Sequence, residues 1–246
     1  MKVLLPDGVR ACLFDLDGVL TKTAVVHAAA WKEIFDGFLR GREGEGYRPF
    51  DAVADYNTYV DGRPRIDGVR AFLASRHIDL PEGTQDDPPD RDTVHGLGNR
   101  KNILVLKKIR EEGVEAYPGS VEFVTAVRRE QLATAVVSSS ANCRDVLTAA
   151  GIEDLFDTRV DGVTAVERGL AGKPHPDTFL AAAHDLGVAA VEAAVFEDAV
   201  AGMDAGRSGG FGYVIGVDRV GHAVDLRAHG ADVVVHDLSE LLQEPR

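Results

Sequence analysis

The chain has 246 residues, of which 45% are hydrophobic and 27% charged, and its formal net charge is −13. Such a composition is that of a globular protein with enough length for one large domain, or a core plus a smaller domain. The negative balance argues against nucleic acid or an anionic membrane surface as a main partner. It leaves a phosphorylated small molecule open, because a local cationic pocket or a metal overrides the global charge.

Two cysteines, Cys12 and Cys143, form neither a metal-spaced cluster nor a disulfide framework. Both read as packing residues, and a reducing, cytoplasmic compartment is the expectation. The opening run MKVLLPDGVR is broken by Pro6 and Asp7, too early for a signal sequence. No segment approaches the roughly 18 apolar residues that span a bilayer.

In chain order, short apolar runs fall at 11–14, 133–137, 193–196, 213–217 and 232–235. They are too short for helices and lack clean alternation, the pattern of strands buried on both faces of a parallel sheet. Between them lie helical patterns at 119–129, after Pro118, and at 142–150 and 177–186, stopped by Gly151 and Gly187. Alternating strands and helices predict an α/β parallel sheet. Residues 22–108 lack the strand signal. Helices are expected there at 27–38, 67–76 and 99–112, with loops at 41–49 and 81–98. A helical domain of residues 22–108, inserted into a core of 1–21 and 109–246, accounts for the shift better than one long loop.

The first run ends at Asp15-Leu16-Asp17-Gly18-Val19. Ligands of open α/β sheets bind at the carboxyl ends of strands, and Gly18 permits a turn that presents both aspartates. The run at 193–196 leads into Glu197-Asp198. Converging carboxylates repel one another, and a hard divalent cation such as Mg²⁺ resolves that repulsion. The plainer alternative is that Asp198 caps a helix at 199–207. Ser138-Ser139-Ser140 follows another strand and suits an anion at a helix N-terminus, or simple capping of 142–150. Lys173, in Gly172-Lys173-Pro174, would neutralise a phosphate and a nucleophilic carboxylate, or sit solvated on the surface.

In chain order these elements resemble the four motifs of the haloacid dehalogenase-like superfamily: Asp15–Val19, Ser138, Lys173 and Glu197-Asp198. The resemblance implies a Rossmann-like core with an inserted α-helical cap and Mg²⁺ as cofactor. It further implies that Asp15 becomes an aspartyl phosphate and that Asp17 is its acid/base. Asp15, the Asp17 carbonyl oxygen, Asp198 and Glu197 would hold the metal, Glu197 directly or through water. Ser138, Ser139 and Lys173 would hold phosphoryl oxygens. Asp17 and the Glu197-Asp198 pair speak against metal-free dehalogenation.

Residues 15–32, DLDGVLTKTAVVHAAAWK, are similar to the β-phosphoglucomutase family in their spacing of Asp15, Thr23, His27 and Trp31. Gly62 and Arg65 in DGRPR, and Lys101, match that family's substrate-binding positions. Ser140 and Asn142 match residues that hold the distal phosphate. His27 and Trp31, at i and i+4, also suit a helix core, and Arg65 also suits an exposed turn. One departure is Ala141, where the family usually carries a cation; Arg144 is a candidate to compensate. The implied partner is a small phosphorylated sugar, for a monomer or weak homo-oligomer without nucleic acid or membrane. The alternatives are a sugar-phosphate phosphatase and a non-catalytic sugar-phosphate-binding module. Segments 21–23 and 106–112 are expected as hinges.

Overall fold

The computed structural model describes residues 1–243. In chain order its strands and helices are β1 (Lys2–Val3), β2 (Ala11–Phe14), α1 (Thr23–Glu43), α2 (Arg65–Ser75), α3 (Val94–Glu112), α4 (Pro118–Arg129), β3 (Ala133–Val137), α5 (Cys143–Ala149), β4 (Thr158–Val160), α6 (Gly162–Arg168), α7 (Asp177–Asp185), β5 (Ala193–Glu197), α8 (Val200–Ser208), β6 (Tyr213–Val217), α9 (Ala223–Ala228), β7 (Val233–Val235) and β8 (Leu242–Gln243). Two compact units emerge. One comprises Met1–Lys22 and the chain from Val114 onward; the other is Thr23–Gly113.

In the first unit, six strands pair in the order β4-β3-β2-β5-β6-β7, every pairing parallel. The central strands β2, β5 and β6 are mostly apolar because both sheet faces are covered there. Leu13, Val137 and Val195 lie in a cluster with Phe179, Met203 and Phe211 of the helical layer. Phe14 stacks on Phe196, with ring centroids 4.5 Å apart, and meets Phe123 edge-on. This is a Rossmann-like α/β fold. The chain leaves β2 towards β3 on one side and reaches β5 on the other, so the carboxyl end of β2 lies at the switch in strand order, where ligands of such sheets bind. β1 and β8 form a separate antiparallel pair.

The five apolar runs all become strands of this sheet. The runs at β1, β4 and β8, two or three residues long, were too short to read.

The second unit is helical. Trp31, Ile34, Phe35, Phe38 and Leu39 line one face of α1, at the spacing that puts residues on a single stripe. They pack with Phe50, Val69, Phe72, Leu73 and Leu97. Several expected boundaries move: α1 starts at Thr23 rather than 27 and α2 at Arg65 rather than 67. Helix α1 runs through 41–43, expected as loop, because Arg40 and Arg42 suit its C-terminal dipole and Gly44, at φ +72°, only then turns the chain. Helix α3 starts at Val94 rather than 99, since Thr93 caps it by accepting from the Gly96 N–H. Gly96 and Gly98 look like loop residues in sequence. Here Gly96 lets the helix approach the Arg91 carbonyl, which a Cβ would meet at 2.1 Å.

Candidate active site

Asp15 continues directly from β2, and its N–H donates to the Phe196 carbonyl at 2.9 Å. Beyond it the chain makes a tight turn. Leu20 and Thr21 donate backbone N–H bonds to the Leu16 carbonyl, and Gly18 N–H bonds to the Thr21 carbonyl at 2.8 Å. Gly18 has φ +87°, and a Cβ there would lie 1.8 Å from Asp198 Oδ2. Glycine is therefore required twice, by the turn and by the approach of a carboxylate.

Lys173 is 2% exposed. Its ammonium donates to Asp15 Oδ1 at 2.5 Å, to Glu197 Oε1 at 2.5 Å and to the Val137 carbonyl at 3.0 Å. An ammonium has three protons, and here each has an acceptor. One side chain thus ties together the carboxyl ends of β2, β3 and β5. The solvated surface alternative for Lys173 falls. The other oxygen of Glu197 accepts from the Ala199 N–H at 3.1 Å. Gly202 makes room for this carboxylate: a Cβ would sit 1.9 Å from its carboxyl carbon. The cap position of α8 is Ala199, so the capping alternative for Asp198 falls too.

Burial pushes the Asp15 carboxyl well above the usual carboxylate range; Lys173 opposes this, while Glu197 and Asp17 reinforce it. Burial lowers the Lys173 pKa, but Asp15 and Glu197 outweigh it and hold the ammonium charged. Asp15, Glu197 and Asp198 each offer an oxygen within 4.8 Å of the others. Three buried carboxylates against one ammonium leave an excess of negative charge, and hard oxygen donors of this kind suit a divalent cation.

The Ser138 N–H donates to the Val160 carbonyl, and its hydroxyl oxygen accepts from the Ser140 N–H at 3.1 Å. The Ser140 hydroxyl oxygen accepts in turn from the Asn142 N–H at 3.1 Å. Ser139 lies between Ser138 and Ser140, and Asn142 occupies the N-cap position of α5. Gly162, which the sequence reading passed over, backs this loop; a Cβ would lie 2.9 Å from the Ser139 carbonyl oxygen. Arg144 is exposed and pairs with Glu153 at 3.3 Å. Burial raises the thiol pKa of both Cys12 and Cys143, as packing residues require.

In the second unit, Lys101 is buried, with its ammonium 3.0 Å from His27 Nδ1 and 4.8 Å above the Trp31 ring. Trp31 stacks on Phe35 at 5.0 Å, so it belongs to the apolar core and also faces a cation. Arg65 opens α2, and burial lowers its pKa. Its Nε is buried without a hydrogen-bond partner among the described residues. Gly62 turns the chain at φ +68° before it, and Thr23 is buried at the start of α1.

The sequence profile of the haloacid dehalogenase-like hydrolases matches residues 9–210. A β-phosphoglucomutase of Mycobacterium bovis is 55% identical over 244 residues, covering 97% of this chain and 93% of the relative. A β-phosphoglucomutase of Bacillus subtilis is 31% identical over 235 residues, covering 96% and 92%. The crystal structure of a Clostridium difficile β-phosphoglucomutase superposes with a TM-score of 0.76 at 26% identity, covering 95% of this chain and 93% of the other. The chain belongs to the haloacid dehalogenase-like hydrolases, within the β-phosphoglucomutase family.

Proposed function

We propose that this enzyme is a β-phosphoglucomutase that interconverts β-glucose 1-phosphate and glucose 6-phosphate through an aspartyl phosphate on Asp15. The observation that carries phosphoryl transfer is the buried Lys173, shared between Asp15 and Glu197 beside Asp198. The mutase assignment rests on the whole-length relative at 55% identity.

Enzymes of this family act with a divalent metal on small phosphorylated substrates; Mg²⁺ is our specific assignment. Asp15, Asp198, the Asp17 carbonyl oxygen and Glu197 would hold it. When bound, it supplies positive charge against two anions that must meet. Asp15 Oδ attacks phosphorus as the bond from phosphorus to the sugar oxygen breaks. Asp17 gives its proton to the departing sugar oxygen. In the second half-reaction Asp17 takes the proton of the incoming hydroxyl, and the Asp15–phosphorus bond breaks. Lys173 opposes the upward push that burial exerts on the Asp15 carboxyl and so favours its ionised form. All of its protons are engaged, so contact with a phosphoryl oxygen requires one of them to change acceptor. Ser138 and Ser139 are assigned to the phosphoryl oxygens. Thr23, His27, Trp31, Gly62, Arg65, Lys101, Ser140 and Asn142 are assigned to the sugar phosphate.

The test is a coupled glucose 6-phosphate assay primed with glucose 1,6-bisphosphate, run beside release of inorganic phosphate. Glucose 6-phosphate formation supports the mutase; phosphate alone sinks it. A phosphatase is the second reading, favoured by Ala141, which brings no cation, and by Arg144, which pairs with Glu153. Two buried thiols suit a reducing, cytoplasmic compartment. No helix among the described residues is long and apolar enough to cross a membrane.

A further inference from the structure

The turn that carries Asp17 exposes two carbonyls, of Gly18 and Val19, that its own backbone ladder leaves over. Both are buried, and a buried carbonyl needs a donor. The donors come from about 200 residues away in sequence. Arg219 Nε donates to the Gly18 carbonyl at 3.0 Å, and Nη2 reaches the Val19 carbonyl at 3.5 Å and Ser120 Oγ at 3.4 Å. Ser120 Oγ itself donates to the Val19 carbonyl at 2.7 Å.

The guanidinium is held in turn from behind. Nη1 donates to the His236 carbonyl at 2.6 Å and to Asp237 Oδ2 at 3.0 Å, and the plane lies 3.7 Å from the Tyr117 ring centroid. Gly119 admits Asp237, whose Oδ1 a Cβ there would meet at 1.8 Å. The loop bearing Arg219 is itself rigid. Asp218 accepts from the N–H groups of Val220, Gly221, His222 and Ala223. The same loop reaches the second acidic segment, where His222 Nε2 is 2.9 Å from the Asp198 carbonyl oxygen.

We propose that Arg219 is a positioning residue for phosphoryl transfer: the loop 218–223 clasps the Asp17–Gly18–Val19 turn through Arg219 and the Asp198 segment through His222, and so sets the spacing of the two acidic loops. Gly18 packs against the Asp198 carboxylate, so a drift of the turn displaces both the acid/base and its neighbour. Misplacement by about 1 Å costs on the order of 100-fold in rate. The inference rests on the proposed role of Asp17.

The experiment compares Arg219→Met with Arg219→Lys in the full-length, Mg²⁺-loaded enzyme on β-glucose 1-phosphate. Met keeps a stem over Tyr117 but donates nothing; Lys keeps a charge and a donor. Arg219→Met is expected to lose kcat by roughly 10- to 100-fold with KM within about twofold, and Lys to recover part of the loss. Amide hydrogen exchange without metal is expected to speed up at residues 18–20 in the Met variant and to stay unchanged in β2. Asp237 also caps the short 3-10 helix Leu238–Leu241, a role asparagine can keep; Asp237→Asn therefore weakens the anchor alone and is expected to lower kcat by a smaller factor, and it serves if Arg219→Met does not fold. Unchanged kcat and exchange in Arg219→Met overturns the proposal, as do equal losses in Met and Lys with unchanged exchange. If Asp17→Asn is inactive while Arg219→Met is fully active, the proposal fails and the proposed function stands. Full activity of Asp17→Asn takes down both.

Discussion

Two cations, one in each unit, differ in how fully their buried donors are satisfied. In the Rossmann-like unit, Lys173 spends every proton on Asp15, Glu197 and a strand carbonyl, and glycines at 18 and 202 let carboxylates pack against backbone. In the helical unit one cation keeps a buried donor unmatched. Lys101 lies over Trp31 beside His27, and Arg65 keeps a buried Nε without a hydrogen-bond partner among the described residues. Under the proposed function, the difference separates two tasks. Groups that react are fixed before substrate arrives, because electrostatic preorganisation works only when no reorganisation is needed. A group that recognises substrate gains by holding a donor in reserve.

Substitutions break this contrast at its strongest point first. Asp15→Asn is expected to abolish turnover and to leave no hydroxylamine-sensitive phosphate on the protein, measured with labelled substrate; retained activity would rescue the non-catalytic binding-module reading. Asp17→Ala is expected to lower kcat by about 10²- to 10⁴-fold, the usual worth of a positioned acid/base, in steady-state assays.

Lys173→Met tests the buried ion cluster through stability. Removing one partner of a buried ion pair costs about 3–5 kcal/mol, read by urea unfolding in EDTA. Burial already raises the Asp15 pKa, and loss of Lys173 raises it further. A group whose folded pKa exceeds its unfolded value loses folding stability as pH rises between the two. The deficit of Lys173→Met should therefore grow as pH rises through the raised Asp15 pKa of the parent protein; a deficit independent of pH would refute the charge explanation.

Arg65→Met probes the other unit and has the smallest expected effect. A charge-assisted hydrogen bond is worth about 1.5–3 kcal/mol, so KM for the sugar phosphate should rise by roughly 10- to 150-fold. The thermal midpoint should not fall, because the variant removes a buried donor that lacks a partner. A lower midpoint with unchanged KM would make Arg65 a structural residue.

The carboxyl end of β2 was legible because local pattern carries it: a run buried on both faces, two aspartates and a glycine. Glu197-Asp198 after β5 was legible for the same reason. Helix starts were less so. Thr93 as a cap, and Gly96 and Gly98 inside α3, are read correctly only once their packing partners are known. Arg144 looked available beside the serine loop, yet it pairs with Glu153 across a turn.

By itself, then, the sequence determined five of the six strands of the parallel sheet, their order of chemistry-bearing ends and the family to which the chain belongs. Periodicity and turn residues act over a few positions, so they survive in a one-dimensional reading. Only the tertiary structure decided that Lys173 is shared by two carboxylates, that Gly202 is the floor beneath Glu197, and that Arg219 holds the turn after Asp17. The Lys173 and Arg219 contacts join residues far apart in the chain, and they exist because buried charges and carbonyls must find partners wherever the fold provides them.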